Sequence, residues 1–148
     1  FKIFWPVTEE FPKVLATVNE HENSSHSETI LIVEDDIDVR KFTYKDLSSL
    51  GYKVHQASNG QTALELLESE TLSIDLLITD LVMPEMNGKV LAEKISSILP
   101  HVKIIYVSGY TDNHIVHNGL LNKGINFVNK PYSIKTLGKE IRRVLDNH

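Results

Sequence analysis

Residues Ser73 to Gly88 read SIDLLITDLVMPEMNG, and the rest of the chain is organised around them. Ile74, Leu76, Leu77 and Ile78 form a short, nearly continuous apolar run, the pattern of a strand covered by helices on both faces. The run stops at Asp80, where such a strand emerges from the core. Asn87-Gly88 then gives a turn signal that leads into a helix. In open parallel sheets ligands bind just outside the carboxyl ends of the strands. An acid at that point, with no basic residue near it in sequence, is a candidate for chemistry.

The flanking sequence repeats the theme. Thr29 to Val33 (TILIV) is a β-branched, apolar run ending in Glu34, Asp35 and Asp36. A helix follows, with Asp36 and Asp38 at its positive end and Val39, Phe42, Leu47 and Leu50 roughly on one face, stopped by Gly51. Tyr52 to Ala57 reads as a second strand. Ser58-Asn59-Gly60 then opens a helix with Ala63, Leu64 and Leu67 inward. After the strand ending at Asp80, Leu91, Ile95 and Ile98 mark a helix stopped by Pro100. Val102 to Val107 is a fourth strand ending in Ser108-Gly109. Thr111 to Leu121 is a weak helix with few apolar anchors. Asn126 to Asn129 is a short fifth strand ending in Lys130-Pro131. Ser133 caps a last helix carrying Ile134, Leu137, Ile141 and Val144 at spacings of three and four. Five strands alternating with helices predict an α/β fold, a doubly wound parallel sheet with right-handed crossovers.

Length and composition bound the function. The 148 residues suit one domain with some spare length. A net charge of −5 argues against a nucleic-acid-binding surface over the whole chain. The absence of cysteine excludes disulfides, thiolate metal sites and cysteine nucleophiles. No apolar run is long enough to span a bilayer and no signal-peptide pattern opens the chain, so a cytoplasmic fragment without membrane contact is expected. The chain opens on Phe1 rather than Met, as a piece of a longer protein would. Residues 1–7 (FKIFWPV) read as a short strand without a partner, and 8–28 as a polar linker in which Phe11, Val14, Leu15 and Val18 could make a weak amphipathic turn or two. The ordered domain, 29–148, begins near Thr29.

Four strands thus end in reactive or charged residues: Glu34-Asp35, Asp80, Ser108 and Lys130. In a parallel sheet of order 2-1-3-4-5 the first and third strands flank the switch point, and the three acids crowd together. Carboxylates this close need compensation. Oxygen donors without histidine or thiol favour Mg²⁺ or Mn²⁺. With Lys130 as a cation and Ser108 as a hydroxyl donor, the set suits a phosphoryl group attacked in line by a carboxylate. Asp80 is then the nucleophile, and Glu34 and Asp35 hold the metal. Singly, each residue has a blander reading as a cap, a turn former or a strand exit; four at one sheet edge, in order, carry the argument. His114 and His117, three apart on the weak helix, lack a third ligand, and His21 and His26 read as solvated linker residues. Neither a phosphate-binding G-x-x-x-x-G-K-[ST] loop nor a G-x-G-x-x-G fingerprint occurs.

With these residues in place, the stretch from Thr29 to Leu145 resembles the receiver domain of two-component response regulators. The resemblance rests on LIVEDD, on DLVMPEMNG with Pro84 and Gly88, on Ser108 and on Lys130 in NKP. It implies a flavodoxin-like, five-stranded sheet and a phosphoryl transfer from a phosphohistidine, on a histidine kinase or phosphotransfer domain, to Asp80. It also implies a metal ligand in the Val82 carbonyl, a cis Lys130-Pro131 bond, and a switch pairing Ser108 with an aromatic three residues before the lysine, here Phe127. Phe127 lacks the commoner tyrosine hydroxyl, so its switching would rest on packing. The helices at 111–121 and after Ser133 are the implied signalling surface. Phe1 to Val7 also resembles the last strand of a histidine kinase ATP-binding domain, which suggests the C-terminal receiver of a hybrid sensor histidine kinase. A receiver of this kind phosphorylates itself and is not a turnover enzyme, whereas the parent kinase is a transferase. Two alternatives stand beside it. A haloacid dehalogenase type phosphatase wants an acid two residues after its nucleophile, where this chain has Val82; a degenerate receiver would serve only as a binding module.

Overall fold

The computed structural model describes residues 26–69, 72–109 and 125–147. The expected strand at 1–7, the amphipathic turn at 11–18, most of the linker and the weak helix at 111–121 with its two histidines lie outside the described residues. Within them the chain runs β1 (Thr29–Val33), α1 (Ile37–Ser49), β2 (Lys53–Ala57), α2 (Gly60–Ser69), β3 (Leu76–Asp80), α3 (Gly88–Ile98), β4 (Lys103–Ser108), β5 (Asn126–Asn129) and α4 (Ile134–Asp146). The strands form one parallel sheet in the order β2-β1-β3-β4-β5.

The alternation of side chains along each strand sorts the core into two layers. Leu31, Val33 and Leu77 face α2 and α3, where Ala63, Leu67, Leu91 and Ile95 meet them. Ile30, Ile32, Leu76 and Ile78 face the other way, onto Leu47 of α1 and Leu137, Ile141 and Val144 of α4. Burial on both faces is why β3, the central strand, is buried at all five positions and reads as apolar up to Thr79 and Asp80.

Polar side chains set the helix starts. Asp36 accepts from the backbone N–H groups of Asp38 and Val39, Asn59 from Thr62, Asn87 from Val90 and Ser133 from Thr136. The inward face of α1 differs from the sequence reading at one residue. Thr43 and Leu47, four apart, face inward, whereas Phe42 stands 60% exposed. Ile98 is also exposed, because it is the last residue of α3 and Leu99 packs against the core in its place. His26 is not a solvated linker residue: its ring stacks on Tyr52 with centroids 4.5 Å apart, so ordered structure starts ahead of Thr29.

Register brings the reactive positions level. Val33 pairs with Thr79, Asp80 with Val107 and Ser108 with Asn129. The ladder continues one residue past the strands, with Leu81 N–H donating to Val107 O at 2.9 Å and Lys130 N–H to Ser108 O at 2.8 Å. The loop after β3 is drawn tightly under its own strand end at Gly88, whose N–H donates to Leu81 O. A Cβ on Gly88 would sit 2.3 Å from Asp80 O and 3.1 Å from Leu81 Cα. Both are backbone atoms, which cannot swing aside. Gly88→Ala is therefore expected to destabilise the domain by about 2–4 kcal/mol; an unchanged urea midpoint would contradict this close approach.

Candidate functional site

Asp80 is the last residue of β3 and Glu34 the first beyond β1, on adjacent strands, so their side chains emerge side by side. Glu34 is 4% exposed and Asp80 7%, while Asp35 is exposed at the rim. One carboxylate oxygen from each of the three lies within 4.8 Å of the others. Like charges at that separation, two of them largely out of water, repel strongly.

Lys130, delivered by the end of β5, supplies the compensation. Its Nζ donates to Glu34 Oε2 at 2.6 Å and to Asp80 Oδ2 at 3.1 Å. It thus reaches across the sheet and is bonded to two of the three acids. Glu34 receives further support. The backbone N–H of Asp36 donates to its Oε1 at 3.1 Å, and Arg40 Nη1 donates to its main-chain oxygen at 2.8 Å. Asp36 itself caps α1 and stands outside the acidic cluster.

One ammonium does not neutralise three carboxylates. The Glu34 carboxyl is raised to about 7, chiefly by burial and further by the Asp80 charge, against the lowering effect of the Lys130 and Asp36 hydrogen bonds and the Lys130 charge. Lys130 moves the other way from what burial alone would do: burial lowers it, but the hydrogen bond to Glu34 and the charges of Asp80 and Glu34 outweigh this and raise it.

Ser108 is fully buried at the end of β4, and its Oγ donates to Gly109 O at 3.2 Å. Val82 has a 46% exposed side chain, and its N–H lies 3.4 Å from Asp80 Oδ1. Phe127 is half-buried and packs with the layer containing its strand partner Tyr106. The bond from Lys130 to Pro131 is cis. The structure thus groups Glu34, Asp35, Asp80 and Lys130 directly, sets Ser108 and Val82 beside them, and holds Phe127 on β5, one strand from Ser108 and two from Asp80.

Sequence reasoning missed the neighbouring cleft. Val39, Phe42, Thr43, Pro131 and Tyr132 line a space of about 610 Å³ with Lys130 at its edge. Tyr132 Oη and Thr43 Oγ1, at 2.8 Å, tie its walls together across 89 residues of sequence. The signal was Thr43, a polar residue at an inward helical position.

All the clustered acidic donors are oxygens, which fits a hard divalent cation. The cation of Lys130 beside them suits a second anion next to that metal, as a phosphoryl group requires.

The model of the response regulator receiver domain family matches residues 30–142. Sensor kinase CckA of Brucella abortus (strain 2308) is 37% identical over 122 residues, which make up 82% of this chain and 13% of the kinase. The response regulator receiver protein CpdR of the same organism is 37% identical over 116 residues, covering 78% of this chain and 95% of CpdR. Among solved structures, a response regulator receiver protein from Sinorhizobium medicae WSM419 superposes with a TM-score of 0.71 at 26% identity, covering 84% of this chain and 98% of that one.

The raised Glu34 value gives the metal-free protein a pH signature. An acid whose value is higher in the folded state than in the unfolded costs stability when ionised. Here that cost is absent below 4.5, grows as pH rises, and is complete above about 7. Glu34→Gln removes it. In chelator, the thermal midpoint of the variant relative to the parent is expected to climb across that interval; a pH-independent difference would contradict the assignment.

Proposed function

The chain belongs to the response regulator receiver family, and on that premise we propose that Asp80 is its phosphoacceptor in two-component signalling. The observation that carries this is the meeting of three carboxylates within 4.8 Å, with Lys130 Nζ bonded to Asp80 at 3.1 Å. Glu34, Asp35 and Asp80, with the Val82 carbonyl, are the proposed ligands of Mg²⁺ or Mn²⁺. When bound, the metal neutralises phosphoryl oxygens and lowers the electrostatic barrier to attack by an anion.

The chain's own residues do the rest. An Asp80 carboxylate oxygen attacks the phosphorus of a phosphohistidine in line. The new O–P bond forms as the P–N bond breaks, and the imidazole leaves with the bonding pair. Lys130, already between Glu34 and Asp80, pairs with the incoming phosphoryl oxygens and offsets the added charge. Ser108 exchanges the Gly109 carbonyl for a phosphoryl oxygen, and the movement of β4 shifts the packing of Phe127 on β5. With no phenolic hydroxyl, that ring reports the change by packing alone, so the two states differ by a small free energy that phosphorylation tips.

The phosphoryl donor in this reading is a histidine kinase or a phosphotransfer domain. We assign 29–148 to the receiver, 8–28 to a linker and 1–7 to the last strand of a preceding kinase ATP-binding domain. That makes the parent a hybrid sensor histidine kinase working at the cytoplasmic side. Support comes from the similarity to a short part of a sensor kinase, 13% of its length. CpdR, nearly all of which the chain matches, shows that a similar stretch also stands alone. Among the described residues no helix is long and apolar enough to cross a membrane.

Incubation with Mg²⁺ and acetyl phosphate or phosphoramidate is expected to add one acid-stable, base-labile phosphoryl mass, lost in Asp80→Asn. Uptake retained in the variant would sink the assignment. The exposed Val82 side chain stands where water would approach the acyl phosphate, so Val82→Asn, which can orient a water, is expected to shorten the phosphoryl half-life several-fold. An unchanged half-life would remove Val82 from that role.

A further inference from the structure

At the opposite end of the sheet from Asp80, the start of the described chain is clamped to the last helix. His26 stacks on Tyr52, and Arg142 Nη1 reaches His26 Nδ1 at 3.4 Å, Glu28 Oε2 at 3.0 Å and Tyr52 Oη at 3.2 Å. From this clamp a groove of about 440 Å³ runs up α4, with Leu50 and Ile134 as its apolar floor, Lys135 and Lys139 on its rim and Gly138 between them.

Two features of the groove ask for an occupant. Gly138 sits in mid-helix, where glycine weakens the helix relative to alanine. Yet a Cβ there would meet only Leu50 Cδ1, at an ordinary 3.6 Å, so the domain's own packing does not require glycine. The missing side chain keeps the groove open. The second feature is charge. Arg142 and Arg143 are paired with Glu28, Asp146 and Glu140, whereas Lys135 and Lys139 have no ion pair among the described residues. The groove is apolar with an uncompensated basic rim.

The chain carries a matching segment next to it. Ahead of His26, Phe11, Val14, Leu15 and Val18 fall at i, i+3, i+4 and i+7, and Glu9, Glu10, Glu20 and Glu22 flank them. As a helix, residues 11–18 would extend about 10.5 Å, close to the roughly 12 Å between Ile134 and Arg142 along α4. The seven residues 19–25 span up to about 25 Å when extended, ample for the segment to turn back along α4 from the clamp. We propose that the groove on α4 is the docking site for the chain's own acidic, amphipathic segment from Glu9 to Glu22. Docking there fixes how whatever precedes the receiver approaches it, on a face away from the phosphoryl chemistry.

Lys13, inside the segment, offers a direct readout. Trypsin cleavage after Lys13 in the full chain, followed by mass spectrometry, is expected to be slow and independent of protein concentration. Gly138→Met, which fills the groove and replaces a helix-weakening residue, is expected to speed it several-fold. So is the pair Lys135→Glu and Lys139→Glu, which reverses the rim charge on an exposed face and does not depend on tolerance at position 138. Equal rates in all three proteins would overturn the proposal. Protection that appears only as concentration rises would overturn it too, by making a second copy the occupant.

Discussion

Everything at the functional end of this molecule follows from electrostatic repulsion at the ends of two neighbouring strands. Parallel pairing of β1 with β3 sets Val33 level with Thr79, and the acids that follow have nowhere to go but alongside each other. Water would screen them, but Glu34 and Asp80 are almost wholly withdrawn from it. The sheet can hold this arrangement because its two hydrophobic layers are extensive and the repelling groups few.

Lys130 is the partial answer and the source of coupling. It directly follows β5 but is bonded to Glu34, just past β1, and to Asp80, the last residue of β3, 96 and 50 positions away. Any added cation or phosphoryl group must therefore redistribute the bonds of a residue whose backbone N–H is tied to Ser108 O. A local change of charge thereby reaches the β4–β5 edge by a short, bonded route. The Glu34 value is raised chiefly by its burial, and the neighbouring Asp80 charge adds to that.

Much of this was legible in the sequence because the informative residues are local. Apolar runs with polar stops identify the strands, Asp36, Asn87 and Ser133 announce helix starts, and a parallel sheet places every strand end at one edge. What escaped was set by three-dimensional register. Phe42 looks like a core residue at helical spacing, yet α1 packs with Thr43 and Leu47 inward and Phe42 outward. Phe42 and Thr43 both line the cleft beside Lys130. The reach of Lys130 between two acids depends on side-chain length across the sheet, which no spacing encodes. The His26–Tyr52–Arg142 clamp joins three distant segments, and no local pattern marks it.

The carboxylate cluster is proposed to be completed by a divalent cation. Isothermal titration of Mg²⁺ into the chain, at a pH above the Glu34 value of about 7, tests it most directly. One ion should bind per chain, and binding should be weakened markedly in both Glu34→Gln and Asp80→Asn. Folded protein that binds no Mg²⁺, or binds it equally well in both variants, would contradict the claim.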